Sequence, residues 1–138
     1  MQSRAMKAYQ GKVAETATLD VEAASPHHLV LLLFDGALLA LERARHALAA
    51  NKPAPKGEAI SKALSIIEYL RVSLDLERGG ALAQRLAALY EYMPPRLLEA
   101  NLKNDPRPLV EVAGLLTQIR SGWVAIGEAP KATQETPP

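Results

Sequence analysis

The chain has 138 residues, 49% of them hydrophobic and 22% charged, enough for one domain with its own core and too apolar for wholesale disorder. Lys and Arg number 16 against 15 Asp and Glu, a formal net charge of +1, so the positive excess on which nucleic-acid binders and polybasic membrane anchors depend is missing. The absence of cysteine excludes a disulfide framework and any Cys-ligated zinc or iron–sulfur centre, and suits a reducing cytoplasm.

Aromatic residues make up only 4%, and Ala and Leu dominate the apolar fraction, which favours helix over strand. The N-terminal stretch MQSRAMKAYQGK is polar and lacks the apolar centre of a signal peptide. Within this segment, residues 1–20, Met6, Tyr9 and Val13 are spaced to share one face of a short amphipathic turn. A helical bundle is predicted for residues 21–127. Its first helix opens at Ser25-Pro26, an N-cap followed by the proline favoured at the first helical position, and runs to about Ala50. Asn51-Lys52-Pro53-Ala54-Pro55 stops it. The apolar run Leu29–Leu41 is broken by Asp35 and Gly36 and falls short of the roughly 20 residues that a membrane span needs.

A second helix is predicted over Lys56–Arg78, ended by Gly79-Gly80 as C-cap and turn. The third begins near Ala81, with Leu82, Leu86, Leu89, Met93, Leu97 and Ala100 as its inward stripe. Pro94-Pro95 interrupts that stripe, because proline lacks the helical N–H and forces its predecessor out of the α region. A kink or break is expected there. The fourth helix starts at Asp105-Pro106 and carries Leu109, Val112, Leu116, Ile119, Trp123 and Ile126 in heptad register. After Gly127 a polar, Pro-rich tail, residues 128–138, is expected to be disordered. Four helices with short connections predict an all-α, antiparallel up-down four-helix bundle.

The first helix carries more apolar surface than a bundle needs. Val30, Phe34, Ala37, Leu41, Ala44 and Leu48 form a core stripe. A second stripe of Leu29, Leu32, Gly36 and Leu39 lies roughly 140° around, with Leu33 and Ala40 between them, for an apolar arc on the order of 220° where a little over 100° suffices. Three readings stay open: the helix is central and covered by its own chain, the surplus is a groove for a partner helix, or the Met6–Tyr9–Val13 face lies over that groove. Asp35, beside the Gly36 notch, and Asp75 are candidates to accept hydrogen bonds from a docking backbone or to cap a local turn.

Catalytic signals are sparse. A di-iron bundle needs two Glu-x-x-His pairs facing inward, whereas the histidines here are His27, His28 and His46, and Glu42-His46 falls on the polar arc. There is no Gly-x-Ser-x-Gly elbow, and Gly79-Gly80 is too short for a phosphate loop. No catalytic residue, metal or cofactor is assigned. A metal-dependent bundle enzyme and a purely structural homodimeric bundle stand as alternatives to a binding module.

Several strings occur together: AYQ at Ala8–Gln10, ASPHHLVLLLFDGAL at Ala24–Leu38, KALSIIEYLRVSLDLERGG at Lys62–Gly80, ALYEYM at Ala88–Met93 and RLLEANLKND at Arg96–Asp105. With Leu115, Leu116, Ile119 and Trp123 following, the chain resembles the flagellar secretion chaperone family FliS over roughly residues 6–126. The resemblance implies a non-enzymatic four-helix bundle in the cytoplasm. It would bind the C-terminal segment of flagellin, prevent premature polymerisation and deliver it to the flagellar type III export gate. With the near-neutral charge and the short apolar run, no small-molecule substrate, no nucleic acid and no membrane insertion are expected. By the same resemblance, Met6 and Tyr9 match an N-terminal pair tied to a switch and to the export-gate contact. Leu32, Asp35 and Gly36 match the first-helix motif, with Phe34 assigned to packing. Leu29, Leu32, Asp35, Gly36, Leu39 and Asn101, with Met6 and Tyr9, form the expected partner-binding set; Ser25, Pro26, Asp75, Gly79 and Gly80 are structural motif positions. Pro94-Pro95 departs from the family pattern.

Overall fold

A computed structural model of the chain describes residues 25–134; Met6, Tyr9 and Val13 lie outside the described residues. Four helices follow in order: α1 (Pro26–Ala49), α2 (Pro53–Val72), α3 (Leu76–Lys103) and α4 (Arg107–Gln134). Each packs against its sequence neighbour, and α4 closes back onto α1. Cross-links place the start of α1 beside Trp123 of α4 and the start of α2 beside the end of α3. The expected antiparallel up-down bundle is therefore the fold.

The start of α1 follows from local chemistry. The Ser25 side chain accepts from the His28 N–H at 3.1 Å, with Pro26 at the first helical position. The buried face of α1 is Leu33, Phe34, Ala37, Ala40, Leu41, Ala44 and Ala47. The core thus centres between the two predicted stripes and absorbs Leu33 and Ala40, while four alanines let the neighbouring helices come close. Opposite this face lie Ile60, Ala63, Ile66, Ile67 and Leu70 of α2, Tyr90, Met93, Leu97 and Ala100 of α3, and Leu109, Val112 and Leu116 of α4. Outer members of the predicted stripes are not core: Leu82 is 55% exposed and Ile126 44%.

The second helix departs from expectation at both ends. It begins at Pro53, because a first turn has N–H groups without helical acceptors and so tolerates Pro53 and Pro55. It ends at Val72, where the Ser73 hydroxyl donates to the Leu70 carbonyl at 3.0 Å. Gly79-Gly80 therefore do not cap it. Asp75 accepts from the Arg78 N–H at 3.0 Å and starts α3 one turn before the glycines. Gly80, with φ 56° and ψ −137°, then breaks that turn from the body of the helix, a conformation open to glycine at little cost. Gly79 is also constrained: a Cβ there would sit 2.5 Å from the Ala83 Cβ.

The break expected at Pro94-Pro95 does not occur. Backbone dihedrals in α3 depart from helical at Gly80 and not at the prolines. Tyr90, Met93, Leu97 and Ala100 anchor both sides of the pair in the core, and that burial offsets two missing N–H donors. At its far end α3 closes on Asn104 in the left-handed region, φ 50°. Asp105 then accepts from the Arg107 N–H at 3.0 Å, so α4 starts one residue beyond the predicted proline. It continues past Gly127 to Gln134, into the predicted tail.

By length and composition alone, Arg107–Gly127 would be apolar enough to cross a membrane, with mean hydropathy 1.2. In the fold its apolar stripe enters the core, and its two internal charges are paired across the bundle. Glu111 meets Arg96 of α3, and Arg120 meets Asp35 of α1, each at 2.7 Å.

Candidate functional site

The bundle end that holds the start of α1, the end of α2 and the late turns of α4 opens into a cleft of about 430 Å³. Leu29, Val30, Leu33 and Phe34 of α1 form one wall, and Tyr69, Leu70 and Leu74 another. Leu86 and Tyr90 of α3, with Ile119 and Trp123 of α4, complete it. Ser25 and Ser73 stand at its edge, and both hydroxyls are already engaged with backbone, at His28 and Leu70. The cleft therefore offers chiefly apolar contact. Burial of the Tyr90 phenol pushes its pKa up to about 12, so it is neutral near pH 7 and provides no base.

The α1–α4 wall is held by a reciprocal clasp. The Trp123 indole N–H donates to the His27 carbonyl at 2.9 Å, and His27 Nε2 lies 2.7 Å from the Trp123 carbonyl. A carbonyl only accepts, so Nε2 carries the hydrogen. The two rings stack with centroids 4.9 Å apart and planes 9° from parallel. Gly127 leaves room for the imidazole: a Cβ there would come 2.3 Å from His27 Nε2.

The predicted partner-binding residues are not gathered in one place. Leu29 lines the cleft. Leu32 is half-buried and Leu39 is 51% exposed on the flank of α1. Gly36 on that flank faces α2, where a Cβ would meet Ile66 Cδ1 at 3.3 Å, so it allows close helix packing there. Asp35 is not a free acceptor, since its carboxylate takes the Arg120 guanidinium. Asn101 is at the opposite end of the bundle, where its carbonyl accepts from Lys56 Nζ at 2.9 Å. Its motif neighbour Asn104 accepts from the same ammonium through Oδ1. The motif positions Ser25, Pro26 and Asp75 act as caps or first-turn residues, and Gly79 and Gly80 as turn glycines.

Lys56, His27, Leu86, Tyr69 and Tyr90 were not singled out by sequence for these roles. Trp123 and Leu86 were legible only as members of inward stripes. Lys56 is 6% exposed, yet nothing in the local sequence distinguishes it from a solvated lysine. Among the described residues no cluster of three or more His, Cys, Asp or Glu is placed to hold a metal ion. Glu42 and His46 instead pair with each other at 3.0 Å on the outer face of α1.

The fold and the cleft define a small helical bundle with a mainly apolar cleft at one end. Residues 5–130 match the family model described as flagellar protein FliS. The chain is 47% identical over 129 residues to the flagellar secretion chaperone FliS of Salmonella typhimurium, covering 93% of this chain and 92% of that one. It is 47% identical over 123 residues to the flagellar secretion chaperone FliSB of Pseudomonas aeruginosa, covering 89% and 95%. With the chaperone FliS of Bacillus subtilis it shares 37% identity over 116 residues, covering 84% and 80%. The chain belongs to the FliS family of flagellar proteins.

Proposed function

We propose that this protein is a cytoplasmic, non-enzymatic export chaperone whose cleft receives the C-terminal segment of flagellin, keeps it from polymerising and presents it to the flagellar export gate. The cleft carries this reading. Its volume of about 430 Å³ is in the range of pre-formed ligand sites, and its lining answers apolar side chains rather than charge. A client that is disordered when free spends about 2–5 kcal/mol on ordering as it binds, which demands such a surface; the half-exposed flank at Leu32 and Leu39 adds to it. Met6 and Tyr9 serve the export-gate contact, and their segment covers the cleft between clients. Ser25, where that segment joins α1, is itself a cleft residue.

Calorimetric titration with the C-terminal segment of the cognate flagellin is expected to show saturable binding with a negative heat-capacity change. Leu29→Asp is expected to weaken it about tenfold or more while helicity is kept, because a charge then enters the apolar wall. Removing residues 1–15 is expected to raise the on-rate. No binding by the intact chain at tens of micromolar overturns the assignment.

A further inference from the structure

The turn that joins α2 to α3 differs from the other two connections in carrying a positive-φ glycine, Gly80, where the others carry Asn51 and Asn104. From Val72 to Gly79 no residue is buried, and Leu74 alone of the apolar side chains there is tucked halfway in, against the cleft. The single helical turn after Asp75 is closed by a side-chain cap, the Arg78 N–H to Asp75, and by the Gly79 N–H donating to the Asp75 carbonyl at 2.8 Å. It is then cut from the body of α3 by Gly80 at φ 56°, where a side chain would meet nothing within 4 Å. A segment held by bonds within its own turn, with a positive-φ glycine at its end and no buried side chain of its own, opens at low free-energy cost.

That segment also carries apolar surface for which the bundle has no use. Leu76 is 51% exposed and Leu82, just beyond the joint, 55%. Leu82 lies one turn before Leu86, which lines the cleft, so the apolar wall of α3 continues outward past the cleft edge. Leu74 and Leu86 bracket Gly80 on the cleft side, and Leu76 sits on the movable side of the joint.

We propose that residues 74–80 form a strap that pivots at Gly80 and closes over a polypeptide helix seated in the cleft, laying Leu76 against it. The occupant is the apolar face of the client helix, because the strap continues the cleft wall that receives that client. The inference rests on the docking function proposed above. Closure would remove the exposed part of Leu76 from water and bring the strap amides under protection, without altering the bundle.

Hydrogen exchange of the full chain, with and without the flagellin C-terminal segment, reads the strap directly, and titration of Leu76→Ser reads its contact. Amides of residues 76–81 are expected to slow about tenfold or more on binding. Leu76→Ser, exposed and therefore compatible with folding, is expected to weaken affinity about five- to tenfold, as losing burial of half a leucine implies. Leu102→Ser, 84% exposed on the far end of α3, is the control and is expected to bind like the parent. If the parent binds while the strap amides are unchanged, or while Leu76→Ser matches it within about twofold, the strap is overturned and the docking function stands. If the parent chain does not bind, the docking function itself fails.

Discussion

At the scale of single residues, the least expected group is Lys56. A lysine so thoroughly buried must place its charge against acceptors, and it does so on two groups at the end of α3, the Asn101 carbonyl and the Asn104 side chain. Carbonyls at a helix C-terminus carry partial negative charge and lack helical donors, so the ammonium serves α3 as a cap supplied by α2. The motif around Asn101–Asp105 is accounted for by this contact and by the Asp105 turn. Lys56→Met keeps the stem and removes the donor from the half-buried Asn101 carbonyl and the exposed Asn104 side chain. It is expected to destabilise the bundle by about 1 kcal/mol, measured by urea unfolding, with little change in the far-UV spectrum. Neither Lys56 nor the His27–Trp123 clasp was legible in sequence, because the partners are 45 and 96 residues away and no local pattern marks them.

At the scale of elements, starts and stops were legible where one side chain and the adjoining backbone decide them. Ser25 and Asp105 act near where their sequence places them. Gly79-Gly80 and Pro94-Pro95 were misjudged for one shared reason: a local breaker only raises the cost of helix, and packing decides whether the cost is met. Around Gly80 the chain has little buried side chain to resist a break. Around Pro94 it has Tyr90, Met93 and Leu97 in the core, so the helix passes through. Pro95 is exposed and contributes the missing donor without compensating burial. Pro95→Ala is therefore expected to stabilise the protein by about 2 kcal/mol, seen as a higher thermal midpoint; a lower one would show that the proline is required by its surroundings.

At the scale of the molecule, charge pairs tie the helices laterally. Arg96 of α3 donates to Glu111 of α4 at 2.7 Å, and the Tyr92 hydroxyl donates to the other oxygen of the same carboxylate, also at 2.7 Å. The hydrogen bond from Arg96 holds Glu111 below the usual carboxylate range, and hydrogen bonding from Arg107 brings Asp105 down to about 2. A carboxylate depressed in the fold stabilises above its unfolded pKa, and that contribution disappears as pH falls through the folded value. Stability is thus expected to decline from about pH 4.5 towards pH 2, and Glu111→Gln is expected to flatten part of that slope in thermal scans. Tyr90 has the opposite sense: its raised pKa of about 12 favours the fold below the ordinary tyrosine value near 10 and withdraws that support as pH climbs towards 12.

The amino-acid sequence by itself determined the helical class, the number of helices, two of their N-terminal signals and the excess of apolar surface on α1. These depend on composition, periodicity and short-range capping, all confined to a few turns. Only the tertiary structure decided where that excess goes. It moved the core axis onto Leu33 and Ala40, turned Gly36 toward Ile66 and paired Asp35 with Arg120. What remained open was a cleft at one end of the bundle, walled by residues from four helices. A cleft of that kind is set by how helices far apart in the chain come together, and periodicity along one helix carries no record of its neighbours.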